Sequence, residues 1–309
     1  MCCLPAAGAP APRIADAWFA HNAILAMLGV SDQVVATVAR PASFAWLYRV
    51  APAFNKAEPI VGGTMNAEEL LRLNTELVFV TPADPSAAAL QRAGLKVIPV
   101  SFTDVDSMLR CIDLTARAVG GPLALRRAAD YRTYLEQALA DVRQAVAAVP
   151  AVRRPRVLHL ASVNPLKVDG SDTIVDQWIS AAGGRNAADG LRGNLQTVSV
   201  EQVLAWNPDV IIVAANGGSF AASPNRALWA DLPAVRAGRV YRNPAGVFPW
   251  DRYGPELALQ LRWALQVLHP ELAPGATPLA QRTQAFYQRF FSYALSADDA
   301  RGIIAGRLP

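Results

Sequence analysis

Residues 66–80 read NAEELLRLNTELVFV and residues 199–213 read SVEQVLAWNPDVIIV, one phrase written twice. The offset is constant (201 − 68 = 133), so Glu68 stands against Glu201, Leu71 against Leu204, Asn74 against Asn207 and Val80 against Val213. Each copy opens on a polar cap, continues with apolar residues at helical spacing and ends in a short branched apolar run, the pattern of a helix leading into a buried strand. A second echo follows each copy: QRAGLKVIPV at 91–100 and VRAGRVYRNP at 235–244. Matching helix-then-strand units on either side of a mid-chain segment predict two related lobes, and two lobes enclose a cleft.

In that middle segment, residues 122–149, Ala128, Tyr131, Leu135, Ala138, Val142, Val146 and Val149 recur at steps of three and four, with Pro122 near the start and Pro150 just beyond. This spacing predicts one amphipathic helix, since proline is tolerated in a first turn and stops a helix later on. At 1.5 Å per residue it would extend roughly 40 Å, enough to run along one lobe and reach the next. Working outward, residues 13–121 alternate strands such as QVVATV (33–38) with helices such as HNAILAMLGV (21–30), 86–93 and 105–119. Residues 151–309 open with strand RVLHLASV (156–163), continue through helices at 172–182, 226–234 and 255–268, and close with a helical tail bearing Phe286, Tyr287, Phe290 and Phe291. The expected fold is α/β, two lobes with mainly parallel sheets joined by a long rigid helix over 122–150. Ligands of such sheets lie beyond the carboxyl ends of the strands.

With 309 residues, 52% of them apolar and 17% charged, the chain supports two sizeable cores. Its net charge of +4 is spread along the sequence; without a polybasic tract or a basic-aromatic ladder, nucleic acid is not an expected partner. Its apolar runs fall short of the roughly 18 residues needed to cross a bilayer. Cys2 and Cys3 stand at the start and Cys111 alone in a helical stretch, which supplies neither a disulfide framework nor a cysteine metal site in the body of the chain. Ala7, Gly8 and Ala9 resemble the cleavage end of a secretory signal whose charged and apolar parts are missing, so an export signal is expected upstream of Met1. A disordered tail is the other reading of this stretch, and a lipid anchor is left open.

Nucleotide and hydrolase motifs (GxxxxGK[ST], GxGxxG after a strand, GxSxG, HExxH) are missing from the sequence, and no enzymatic role is expected. His21, His159 and His269 are too scattered for a metal cage made by protein alone. His159 reads as a satisfied core residue and His269 as a helix-terminal cation, while His21, beside Trp18 in the first strand-to-helix turn, is a candidate ligand contact. Arg40, Trp46 and Tyr48 follow a strand of the first lobe; Phe248, Trp250, Arg252 and Tyr253 follow a strand of the second. Aromatic rings give large contact area at low entropy cost and a guanidinium forks onto carboxylate or other oxyanions, so these residues are candidate ligand contacts from both walls. The alternative is that the tryptophans pack under long loops and the arginines are solvated. Asn164 and Asn216, at strand ends, are further candidates. Glu68 and Glu201 occupy the first turn of equivalent helices, where the macrodipole favours acidic groups; one carboxylate per lobe also suits docking onto a two-fold partner.

The order of the first phrase, the bridging helix, VSVEQVLAWNPDVIIV and AVRAGRVYRNP resembles the periplasmic substrate-binding proteins of ABC importers for iron complexes and cobalamin, over roughly residues 13–272. GGTMNAEELL reinforces the likeness, and DTIVDQWISAAGGRNAAD together with residues 250–271 is similar to members handling siderophores, haem, nickel chelates or molybdate. The chain departs from the family at Trp18, Phe19, Ala20 and His21, where many members have a Pro/Ser-rich turn with a glutamate. The resemblance implies a monomeric periplasmic receptor that captures an iron-siderophore or similar metal chelate and delivers it to an ABC permease in the inner membrane. It implies no cofactor beyond that ligand, and it implies that Glu68 and Glu201 meet arginines of the permease. A small oxyanion of the molybdate type or a nickel-histidine complex is the alternative cargo; a two-lobed sugar-nucleotide transferase is the alternative from another class.

Overall fold

The computed structural model describes residues 11–62, 65–273 and 277–309. Cys2, Cys3 and the Ala7, Gly8, Ala9 pattern lie outside the described residues, as do Gly63 and Thr64 of GGTMNAEELL.

Five strands form the first sheet: β1 (Ile14–Asp16), β2 (Val34–Thr37), β3 (Glu58–Pro59), β4 (Leu77–Val80) and β5 (Lys96–Pro99). They run parallel throughout in the order β3-β2-β1-β4-β5. The winding reverses between β1 and β4, and the crevice at such a switch point is where open α/β sheets hold ligands. The second sheet holds β6 (Arg156–Val163), β7 (Leu166–Val168), β8 (Arg185–Asn186), β9 (Gln196–Thr197), β10 (Val210–Val213) and β11 (Val240–Arg242). Its order is β11-β10-β6-β7-β9 with β8 alongside β6, and it reverses between β6 and β10. It is mixed: β7 folds back on β6 through a hairpin turn at Asn164 and Pro165, and the β6-β7-β9 edge is antiparallel.

The repeated phrase folds the same way twice. Helix Ala67–Arg72 leads into β4, between β1 and β5, and helix Val200–Trp206 leads into β10, between β6 and β11. The paired asparagines end both helices in the left-handed region, Asn74 at φ 51° and Asn207 at φ 48°, a conformation asparagine tolerates better than most residues. The glycines of the second echo behave alike, Gly94 at φ 88° and Gly238 at φ 66°. At the helix starts the copies differ. Ser199 and Gln202 form a reciprocal capping box, whereas Asn66 accepts from the Glu68 N–H at 2.9 Å and Glu69 does not reach back.

The bridging helix runs Pro122–Ala145, four residues shorter than its apolar spacing predicts, and is about 36 Å long. Ala124, Ala128, Tyr131, Leu135, Ala138 and Val142 form its buried stripe. It packs on helices Phe19–Leu28 and Val105–Val119 of the first lobe and on Ile174–Ala181 and Leu257–Leu268 of the second. The Tyr131 hydroxyl donates to the Pro255 carbonyl at 2.8 Å, and Arg132 and Arg262 tie the helix to either side through Asp113 (2.5 Å) and Asp141 (2.6 Å). One apolar core is therefore continuous from Ile14 and Phe79 through Tyr131 and Leu135 to Trp178 and Ile212.

The tail does not stay with the second lobe. Helix Leu279–Phe291 packs on both Phe19–Leu28 and Leu257–Leu268, and its Phe290 meets Tyr131 and Tyr134 of the bridging helix edge-on. Helix Ala297–Ile304 then reaches the first lobe, where Asp299 accepts from Arg49 at 2.9 Å. Among the described residues no helix is long and apolar enough to cross a membrane.

Candidate functional site

The carboxyl ends of the strands face one another across the cleft, and aromatic rings from both lobes meet there. Trp18, just after β1 at the first switch point, and Phe102, after β5, pack with Tyr253 of the second lobe at centroid distances of 5.1 to 5.9 Å. Phe44, after β2, stacks between Phe19 and Phe248, 5.7 Å from each. Phe44 and Phe248 come from opposite lobes and lie within 10° of parallel, a stack that closes this part of the cleft.

Behind the rings lies a buried chain of alternating charge. His159, from the middle of β6, sits with Nδ1 2.7 Å from Asp169 Oδ2 and Nε2 2.9 Å from Asp251 Oδ2. Carboxylates only accept, so both ring nitrogens carry hydrogen and the ring is an imidazolium. The two carboxylates outweigh burial and push its pKa up to about 9. Asp251, fully buried, is held well below the usual carboxylate range, burial notwithstanding, by Arg252 and His159; Asp169 is lowered in the same way, chiefly by His159. Arg252 donates Nε to Asp251 Oδ1 at 3.0 Å and Nη2 to Oδ2 at 3.1 Å, which leaves Nη1 without a protein partner among the described residues. The Trp178 indole donates to the Asp251 carbonyl at 3.0 Å and fixes the segment from below.

Arg252, Tyr253, Asn194, Leu195, Val175 and Asp169 line a cavity of about 60 Å³. The Leu195 N–H donates to Asp169 Oδ1 at 2.9 Å, which holds Leu195 at a left-handed φ of 58° against the cavity. The Asn194 amide and the Tyr253 hydroxyl bond each other at its rim. A larger cavity of about 440 Å³ opens between the Phe44 loop, the loops after β10 and β11, and the end of the tail. A third, of about 500 Å³, lies between the bridging helix, helix Ile174–Ala181, helix Leu257–Leu268 and the start of helix Val105–Val119, with Val105, Arg143, Gln177 and Trp178 in its lining. Among the described residues no group of three or more His, Cys, Asp or Glu gathers as a metal site.

The sequence candidates divide on this geometry. Arg252 and Tyr253 line the smaller cavity; Trp46 and Asn216 line the larger one. Arg40 is turned inward, its guanidinium donating to the carbonyls of Thr37 (2.9 Å), Ala39 (2.8 Å) and Ile60. Tyr48 is buried and donates to the Ala39 carbonyl at 3.0 Å. Trp250 is fully buried, its indole bonded to Glu256 at 3.1 Å. His21 is likewise enclosed between Asp16 (3.1 Å), Thr115 (2.8 Å) and the Phe79 ring. Asn164 is exposed in the hairpin turn. These five, Arg40, Tyr48, Trp250, His21 and Asn164, line neither cleft cavity. The loop that carries Phe248, Trp250 and Arg252 is gathered by Glu256, which accepts from the Val247 and Phe248 N–H groups (3.1 and 2.8 Å), the Trp250 indole and the Tyr287 hydroxyl. Sequence reading missed Asp251, Asp169 and Glu256; His159 lies 92 residues from Asp251 and 10 from Asp169, and Tyr287 lies 31 from Glu256, separations that follow no helical or strand spacing. Glu68 and Glu201 are both exposed on their helices' first turns, and the Glu201 carboxyl is lowered by its own N–H and the Ser199 hydroxyl.

Residues 20–246 match the model of the periplasmic binding protein family. The chain belongs to that family, the substrate-binding proteins of ABC transporters. It is similar to the molybdate-binding protein MolA of Haemophilus influenzae, 27% identical over 281 residues that cover 82% of this chain and 77% of that protein. The molybdate-bound structure of MolA superposes with a TM-score of 0.78 at 21% identity, covering 93% of this chain and 95% of that one. A periplasmic solute-binding protein of Veillonella parvula gives 0.81 at 24% identity over 96% and 92%, and the nickel-histidine complex of CeuE from Helicobacter pylori 0.72 at 18% over 96% and 94%. These structures share the two-lobed α/β fold.

Proposed function

We propose that this protein is the periplasmic receptor of an importer for a small oxyanion of the molybdate type, held at Arg252 and Tyr253. The observation that carries the reading is the fixed guanidinium: Asp251 occupies Nε and Nη2, Nη1 has no protein partner among the described residues, and Arg252 lines a cavity of about 60 Å³. Donors already oriented in a partly dry site stabilise an anion more than donors that must reorganise. That volume is about twice a water molecule's share of the liquid, roughly 30 Å³, so it suits a compact ion and not a porphyrin or a siderophore. The likeness to MolA supports the same class of cargo.

A second reading, the iron-siderophore or other metal chelate, is favoured by the larger cavity of about 440 Å³ with Phe44 and Trp46 on its wall. Calorimetric titration with molybdate, sulfate, nickel-histidine and a ferric hydroxamate separates the two. One equivalent of molybdate with a Kd of about 1 μM or tighter, about 8 kcal/mol, supports the first; binding of the ferric complex alone transfers the assignment to the second.

Docking onto the permease completes the proposal. One exposed carboxylate at the first turn of each repeated helix suits a pair of basic sites related by the permease's two-fold axis. Replacing Glu68 and Glu201 by alanine is expected to abolish uptake while ligand affinity stays unchanged; uptake at the unaltered rate removes the docking role.

A further inference from the structure

We propose that residues 296–308 form the selectivity wall of the larger cleft cavity, strapping the two lobes together at its mouth and admitting an organic group with an apolar body and one negative charge. This rests on reading the cleft as the ligand site, and it does not require the occupant of the Arg252 cavity to be an oxyanion.

The segment is fastened to both lobes. On the first lobe, Arg49 donates to Asp299 at 2.9 Å and the Trp46 indole donates to the Arg307 carbonyl at 2.9 Å. On the second, the Ala245 N–H donates to the Ile303 carbonyl at 3.1 Å, and Ala300 and Ile303 are fully buried. Gly306 makes the approach possible: at φ 67°, a Cβ there would come within 3.0 Å of the Asn243 carbonyl and the Arg242 side chain. Separating the lobes along this flank therefore requires the indole bond and the ion pair to break.

The strap also lines the space it closes. Phe44, Trp46, Pro249 and Leu308 give the cavity apolar walls, Asn216 adds an amide, and Arg307 is the one charged residue among those lining it. Leu308, 73% exposed, is an apolar side chain at the cavity mouth that an occupant with an apolar body would cover. A ring system fits between such walls at little entropic cost, and a single cation matches a single anionic substituent.

The probe is anilinonaphthalene sulfonate, an aromatic monoanion, titrated by fluorescence. Wild-type protein is expected to bind one equivalent saturably, and Leu308→Asp, an exposed substitution that leaves the melting temperature in place, to weaken the probe about tenfold or more, about 1.4 kcal/mol. Asp299→Ala is expected to raise amide hydrogen exchange in helix Ala45–Val50. Absence of saturable probe binding, an unchanged affinity in Leu308→Asp, or unchanged exchange in Asp299→Ala overturns the proposal. Molybdate titrated into the same variants should bind as in the wild type, so a failure of molybdate to bind at all touches the oxyanion reading and leaves the strap to its own measurements.

Discussion

The two side-chain oxygens of Asp251 receive the Nε and Nη2 hydrogens of Arg252, its neighbour in sequence, at 3.0 and 3.1 Å. The buried His159 bonds the same carboxylate at 2.9 Å and holds it in place. Arg252→Lys keeps the charge and loses the fork. An ammonium has three donors but lacks the planar fork that meets both oxygens side-on while a further donor stays fixed for a ligand, so molybdate affinity is expected to fall between about 10-fold and 100-fold, the scale of one charged hydrogen bond. Calorimetry reads the loss, and equal affinity in the lysine variant removes Arg252 from the site.

His159 makes the fold sensitive to alkali. Its folded pKa of about 9 lies above the ordinary value of 6.5, so its contribution is fully present below about pH 6.5 and is lost as pH rises through about 9. The melting temperature should decline across that window. His159→Gln removes the cation between two carboxylates and should cost roughly 3–5 kcal/mol, the usual penalty for breaking a buried ionic group, while flattening the decline. A wild-type melting curve that is level from pH 6.5 to 9 contradicts this account.

Glu256 titrates with a consequence of the same sign in a lower pH window. Burial raises its pKa to about 7 from 4.5, against the pull of Tyr287, Phe248, Trp250 and Val247. The folded state then holds more protons than the unfolded chain between those values, and this group's contribution to stability falls as pH rises from about 4.5 to 7. Glu256→Gln turns an amide NH₂ toward one of the donors and leaves that donor unpaired, at about 1–3 kcal/mol. Denaturant unfolding at pH 5 and pH 8 should show the variant destabilised and its difference between the two pH values reduced.

The paired asparagines offer a test of the repeat. Asn207→Gly keeps the left-handed turn and should change stability by a few tenths of a kcal/mol, whereas Asn207→Val should cost about 1–2 kcal/mol. The same pair of substitutions at Asn74 should behave alike if the two turns are equivalent; chemical denaturation of the four variants decides it.

What the sequence disclosed follows from how far each interaction reaches along the chain. The polar caps that open each copy of the phrase and the stripe from Ala128 to Val142 are set by residues within a few positions of each other, and periodicity exposes them; the left-handed turns at the paired asparagines and the burial of Ala124 are added by the structure. Only residue type points to Trp250 and Arg40 in the sequence. What decides their role is a partner fixed by folding: Glu256 buried beneath the indole, and backbone carbonyls as remote as Ile60 around the guanidinium. His159 reads as a satisfied core residue, and both of its ring nitrogens are bonded. Its carboxylate partners, 10 and 92 residues away, could not be paired with it from spacing. The crossing of the tail to Arg49 lies further out of reach, 250 residues along the chain.

The uninterrupted apolar interior that runs through the bridging helix bears on how the molecule comes apart. Each half has a smaller apolar cluster of its own, around Val78 and Leu90 in the first and around Leu160 and Trp229 in the second, but the largest one, which holds the fully enclosed Tyr131 and Leu135, is shared by both and couples their melting. Heating is expected to give a single calorimetric peak, with an enthalpy matching the van't Hoff value, from a protein whose outline suggests two.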